Sequence, residues 1–296
     1  MKIQLQIVIF ILAVLVLCAS LGGGFYVYRQ MSGDHKDEIA LEAALSRFKD
    51  KDISRPDPGA AKFQESLELL KKGNTKEGLR QLYDMTHYYQ DSGRFNEAKR
   101  VIGEINMDLL FQLEEQERKK QIVVNRGDSL NAIAAKNHCT VEYIIAVNSL
   151  MNTGLQPGDR LTILPLNFLL NVEIQNKKVV LYEQDEDQKL RFFKEYPILE
   201  LKFPIGFRSQ NGNTELGEKM VYFGEKKITV TDPNFNAARK WMPTKRSGVL
   251  FYSKDSGPEG SDLGICLRPE DLEELFVILS PKTPVIFIDK KESVRK

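Results

Sequence analysis

Gly127-Asp128-Ser129-Leu130, Asn148-Ser149-Leu150 and Gln156-Pro157-Gly158-Asp159 punctuate residues 122–165, and reading them decides the fold of that stretch. Ile122-Val123-Val124 predicts a short strand. Gly127 opens a turn, and Asp128 or Ser129 supplies the cap of a helix, because a short side-chain oxygen accepts hydrogen bonds from the free amides of a first helical turn. Ile133 and Ala134 give that helix its apolar face. Thr140 caps a second helix, with Val141, Ile144, Ile145 and Val147 apolar and Asn148-Ser149-Leu150 at its end. Pro157-Gly158 predicts a turn, after which Leu161-Thr162-Ile163-Leu164 returns as a strand.

The spacing of these three signals resembles a lysin motif, a βααβ module that binds glycans containing N-acetylglucosamine. The resemblance implies a shallow groove lined by Gly127, Asp128, Ser129 and Leu130 on one side. Met151, Asn152, Thr153, Gly154, Leu155 and Pro157 would line the other. Backbone amides and small polar groups would bond the acetamide, while Leu130, Met151 and Leu155 meet its methyl and the sugar face. Leu130 and Leu155 have a second reading, as core residues only. One such module binds weakly, so avidity or tethering would help.

Downstream of Phe168 the apolar period changes to two. Leu170, Val172 and Ile174 alternate with polar residues, and Val179 to Tyr182, Phe192-Phe193, Tyr196 and Ile198 follow. Residues 220–223 and 228–230 are further strand candidates, and Pro284 to Ile288 is a last buried one. Pro269 with Glu270 and Asp271 opens a helix, Pro at its start and acids in its first turn.

This order resembles the L,D-transpeptidase domain, which crosslinks peptidoglycan through a cysteine. Leu181-Tyr182, Thr214-Glu215-Leu216-Gly217 and Trp241 stand where that family has a Leu-Tyr pair, a Thr-Pro-x-Gly turn and a tryptophan. The helix from Pro269 matches the one after the nucleophile motif. Residues 264–268, Gly-Ile-Cys-Leu-Arg, stand at the motif itself, usually Ser-His-Gly-Cys-Ile-Arg. The resemblance implies Cys266 as nucleophile and Arg268 as the motif arginine when counted from Gly248. Counted back from Pro269, Gly264 falls at the nucleophile and Cys266 at the arginine. Under either count Leu250 replaces the upstream histidine, and the motif histidine is replaced by Asp262 or Gly264.

Three readings of Cys266 stand: a nucleophile with an unusual base (Asp262, Asp255 or Lys254), a relic in a domain that binds without reacting, or an unrelated buried cysteine. Losing the base costs a factor on the order of a hundred to ten thousand. An unassisted thiol, with a pKa of about 8.5, is only a few per cent thiolate at neutral pH. Arg268 either holds a stem-peptide carboxylate or pairs with Glu270 or Asp271.

Upstream, residues 34–120 read as helical, with breaks at Gly73-Asn74 and Ser92-Gly93 and a linker at Pro56-Asp57-Pro58-Gly59. The pattern resembles tetratricopeptide-like hairpins, and is either a plain spacer or a surface for a protein partner. Residues 7–28 are an apolar run long enough to cross a hydrocarbon core of about 30 Å. An uncleaved anchor is favoured over a cleaved signal peptide or a lipoprotein signal.

The 42 basic and 41 acidic residues nearly cancel, which gives no argument for nucleic acid. Cys18, Cys139 and Cys266 are too scattered for a disulfide framework or a metal site, and no cofactor is expected. The expected fold class is multidomain α+β: a transmembrane helix (1–30), a helical hairpin region (34–120), a βααβ lysin motif (121–166) and a mainly-β L,D-transpeptidase-like domain (167–290). The expected role is a single-pass protein of the bacterial inner membrane, its bulk in the periplasm or otherwise outside, binding glycan strands and stem peptides of peptidoglycan. The transpeptidase-like domain is read as degenerate. The alternatives are an active cysteine transpeptidase and an envelope assembly scaffold.

Overall fold

A computed structural model of the chain describes residues 56–113, 119–150, 154–207, 213–258 and 263–289. Three helices come first: α1 (Pro58–Lys71), α2 (Thr75–Tyr88) and α3 (Phe95–Phe111). They break where Gly73-Asn74 and Ser92-Gly93 predict. The expected linker at Pro56-Asp57-Pro58-Gly59 is instead the start of α1. The Asp57 carboxylate accepts from the Ala60 amide at 3.0 Å and, across the helical layer, from Ser92 Oγ at 2.9 Å and the Gly93 amide at 3.1 Å. One carboxylate thus caps α1 and holds the turn before α3. Phe63, Leu82, Met85, Ala98 and Ile102 pack between the helices, each on one stripe of its own helix.

The βααβ unit follows: β1 (Lys120–Val123), α4 (Leu130–Lys136), α5 (Val141–Val147) and β2 (Arg160–Ile163). β1 and β2 pair antiparallel, Lys120 opposite Ile163 and Val123 opposite Arg160. Ser129 Oγ accepts from the Ala132 amide and Thr140 Oγ1 from the Tyr143 amide, so both helices start at predicted caps.

The remainder is built on two sheets. The first takes β3 (Phe168–Glu173), β4 (Lys178–Gln184) and β5 (Leu190–Pro197). The second begins with β6 (Glu200–Lys202). β7 (Asn213–Glu215) is an edge of the first, and β8 (Met220–Phe223) and β9 (Lys226–Lys227) belong to the second. β10 (Arg239–Pro243), β11 (Leu250–Ser253) and β12 (Gly264–Leu267) complete the second. Helix α6 (Pro269–Ile278) then leads to β13 (Pro284–Ile288), which inserts in the first. The strand orders are β5-β4-β3-β13-β7 and β6-β12-β11-β10-β8-β9. β12 lies parallel to β11, with Cys266 opposite Tyr252, and antiparallel to β6, with Cys266 opposite Glu200. Residues 228–230 are not a strand. Ile228 is buried beside β8, its amide bonded to the Val221 carbonyl, and the chain turns away after it. Thr214-Glu215 is extended on β7 and Leu216 bridges Thr244 antiparallel, so the expected turn is not found there; the Gly217 amide bonds to Pro243 O at 2.7 Å.

Contacts gather Asp57–Lys296 into one unit. α3 lies on β5, where Tyr83 Oη donates to Phe192 O, and Asn106 Nδ2 donates to Phe193 O at 2.7 Å. Gly103 permits this approach, since a Cβ there would stand 2.8 Å from Lys194 Cγ. The βααβ unit is fastened by Thr140 Oγ1 to Val277 O and by Tyr143 Oη to Leu110 O at 3.0 Å. Lys219 adds a buried contact, pairing with Glu142 at 3.3 Å and donating to Phe276 O.

The expected fold class needs one correction. Among the described residues no helix is long and apolar enough to cross a membrane. The helices described are apolar on one stripe and charged on the other, as packing within a helical layer requires. Residues 7–28, on which the transmembrane expectation rested, lie outside the described residues.

Candidate functional site

Two regions hold the residues singled out by sequence. In the first, Val124 joins the loops of the βααβ unit: its amide bonds to Asp159 O and its carbonyl accepts from Gly158 N, both at 2.8 Å. The loop carrying Gly127 and Asp128 is therefore held against the turn carrying Pro157. Each loop is closed by its own carboxylate: Asp128 Oδ2 accepts from the Asn125 amide and Asp159 Oδ2 from the Gln156 amide, both at 2.8 Å. Gly127 and Gly158 have φ of +91° and +99°, in the left-handed region that favours glycine, and neither would meet an atom with an added Cβ. Gly127, Asp128, Ser129 and Pro157 are exposed. Leu130 is only 6% exposed and lies in the core, with Leu155 half-buried and packed against that core. Met151, Asn152 and Thr153 lie outside the described residues.

Asn148, read in the sequence as the end of the second helix, has a further role that the reading did not give it. Its Oδ1 accepts from the Thr162 amide at 2.7 Å, and its Nδ2 donates to Thr162 O at 2.8 Å and Ile144 O at 2.9 Å. It reproduces a strand partner for β2 while closing α5. An Asn just past the last apolar position of a helix was the available signal.

The second region surrounds Cys266, which is fully buried within β12. Burial, the foremost cause, and the Glu200 carboxylate push its thiol above the ordinary value of 9.0, against a smaller opposing pull from Lys254. Lys254 is itself engaged, its Nζ 2.8 Å from Glu200 Oε1. Asp262 lies outside the described residues. The described histidines stand elsewhere, His87 on α2 and His138 in the turn between α4 and α5. Arg268 makes a two-pronged pair with Asp271, Nε to Oδ2 at 2.7 Å and Nη2 to Oδ1 at 2.8 Å, and a looser one with Glu270 at 3.3 Å. The Asp271 side chain is 3% exposed, so the guanidinium neutralises a buried carboxylate in the first turn of α6.

Gly264, the nucleophile position of the second register, and Leu250, the upstream histidine position of both, meet on neighbouring strands. A Cβ on Gly264 would fall 2.1 Å from Leu250 O and 2.7 Å from Leu250 N, and Gly264 has φ of +121°. No side chain of any kind fits there without moving β11. Trp241 stacks on Tyr222, ring centroids 5.2 Å apart and planes within 15°. Among the described residues no cluster of His, Cys, Asp and Glu is arranged to hold a metal.

The LysM domain family matches residues 122–164, which are the βααβ unit. No curated protein matches the chain. Solved structures similar to it include Bd1075 of Bdellovibrio bacteriovorus, at 18% identity and a TM-score of 0.29, covering 42% of this chain and 48% of that one. A fused amidase/peptidase/peptidoglycan-binding protein of Clostridium acetobutylicum is 10% identical at a TM-score of 0.28, covering 41% and 52%. A mutant L,D-transpeptidase of Enterococcus faecium is 20% identical at a TM-score of 0.26, covering 41% and 50%. The alignments span about half the length of these proteins, and at such scores the likeness carries no argument of its own. What is identified is therefore a LysM domain at residues 122–164, set between a helical layer and a two-sheet domain.

Proposed function

We propose that this is a cell-envelope protein, acting outside the cytoplasm, that holds peptidoglycan through its LysM domain. We further propose that its C-terminal domain is L,D-transpeptidase-like in descent and does not use Cys266 as a nucleophile. The observation that carries the first half is the family match at 122–164, together with an exposed Gly127–Ser129 loop held against the Pro157 turn. That pair of loops offers backbone amides and small polar groups on an open surface, which suits an acetamido sugar better than a charged ligand.

The second half is supported by the surroundings of the sulfur. A nucleophilic cysteine needs thiolate character, access and a base within reach. Cys266 is buried, and its thiol is pushed up rather than down. Leu250 occupies the place of a histidine, and Gly264 excludes a thiol at the alternative register. Arg268 is committed to Asp271.

The test of glycan binding is sedimentation of the purified full chain with purified peptidoglycan, with and without N-acetylglucosamine oligomers as competitor. Binding that the oligomers displace, and that Pro157→Glu at the exposed turn weakens at least about tenfold, is the expected result. A chain that stays in the supernatant contradicts the reading.

A further inference from the structure

Between α3 and the first sheet lies a cleft of about 700 Å3 that the LysM domain does not line and that the Cys266 region reaches only through Arg268. Its size suits a small ligand or one residue of a polymer. One wall is the face of α3 bearing Asn96, Lys99, Arg100 and Glu104, spaced so that a single helix face presents them. The other is the turn Asn176-Lys177-Lys178 with the end of β5 from Lys194 to Pro197, and Arg268 closes one side.

The charges in this cleft do not balance locally. Glu195 is the acceptor for two ammonium groups, Lys99 at 2.5 Å and Lys178 at 3.3 Å, and Lys178 also leans on Glu173 at 3.4 Å. Lys194 is satisfied by Glu104 and Glu274, and Arg268 by Asp271. Glu97 is taken by Arg94. That leaves Arg100 on the helical wall and Lys177 on the turn, both exposed and neither forming an ion pair with a described residue. Lys177 sits at a φ of +48°, in the left-handed region, so the turn holds its backbone in an uncommon conformation with the ammonium at the rim. The floor is rigid: Gly103 brings α3 against Lys194, and Tyr83 and Asn106 tie the helices to β5.

We propose that this cleft is a second ligand site, taking an oxyanion, either a carboxylate or a phosphate, between Arg100 and Lys177. The two unpaired cations on opposite walls supply the attraction. Lys99, whose ammonium is paired among the described residues only with the shared Glu195, keeps donor capacity for a further anion. Asn96 and Asn176 are exposed on the two walls and provide neutral donors for the rest of the ligand.

The test is calorimetric titration of the purified full chain with inorganic diphosphate and, separately, with L-alanyl-D-glutamate. Saturable binding of either probe is expected, weakened at least about tenfold in the double variant Arg100→Ala/Lys177→Ala and unchanged in Lys136→Ala, a surface control on α4. The tighter probe identifies phosphate or carboxylate as the group recognised. Failure of both probes to bind at millimolar concentration overturns the proposal, and so does binding that survives the double substitution. Both altered residues are exposed and unpaired, so the double variant retains the fold. Its loss of probe binding is independent of whether the LysM domain holds glycan.

Discussion

The LysM domain and the β11–β12 region of the second sheet each carry a short motif, but they treat it in opposite ways. In the LysM domain the motif residues are exposed and their main chains are fixed by neighbours: Val124 bonds both loops, and Asp128 and Asp159 close them. Around Cys266 the motif residues are spent on the fold: a buried sulfur inside a strand, a buried glycine pressed on Leu250, and an exposed arginine paired to the buried Asp271. A site needs its groups both positioned and unsatisfied. The first region has both properties. The second has only position.

The comparison can be broken most forcefully at Gly264. Gly264→Ala puts a methyl 2.1 Å from Leu250 O at a φ that L-residues avoid, and the expected loss is on the order of 3 kcal/mol or more in urea unfolding. A neutral result would mean that β11 yields easily and that the packing argument against a thiol at this position fails. At the LysM end, Asn148→Ala removes three hydrogen bonds to Ile144 and Thr162, with an expected cost of about 2 kcal/mol and a parallel loss of peptidoglycan binding. Unchanged stability there would show that β2 does not depend on the side-chain clip.

The smallest effect is expected at the sulfur. Cys266→Ala should cost about 1 kcal/mol, as a small buried group does. Because the folded thiol titrates above 9.0, any stability it contributes is fully present below the unfolded value and is lost as pH rises through the folded one. The gap between the wild type and Cys266→Ala should therefore narrow above pH 9, and a thiol reagent should label Cys266 in the native chain far more slowly than in denaturant. Rapid native labelling would sharpen the comparison against the present account.

The legibility of the sequence followed the same division. Ser129 and Thr140 were readable as caps because capping needs one residue type at one place, and that requirement is local. The pairing of Val124 with the Pro157 turn was reachable only through the resemblance, since nothing local specifies it. For Cys266 the residues were visible but their burial was not. A Cys between Ile265 and Leu267 reads alike as a reactive thiol or as a strand interior until β6 and β11 are seen on either side. The docking of α3 on β5 had no sequence signal beyond Gly103, a small residue in a helix interior. Asp57 misled for a physical reason: an Asp beside two prolines is as good a helix start as a linker.

The most direct measurement is to incubate the purified full chain and Cys266→Ser with disaccharide-tetrapeptide fragments of peptidoglycan and to look by mass for crosslinked dimer. The account predicts no dimer from either protein, with the fragments recovered intact. Dimer formed by the wild type and absent with Cys266→Ser would contradict it.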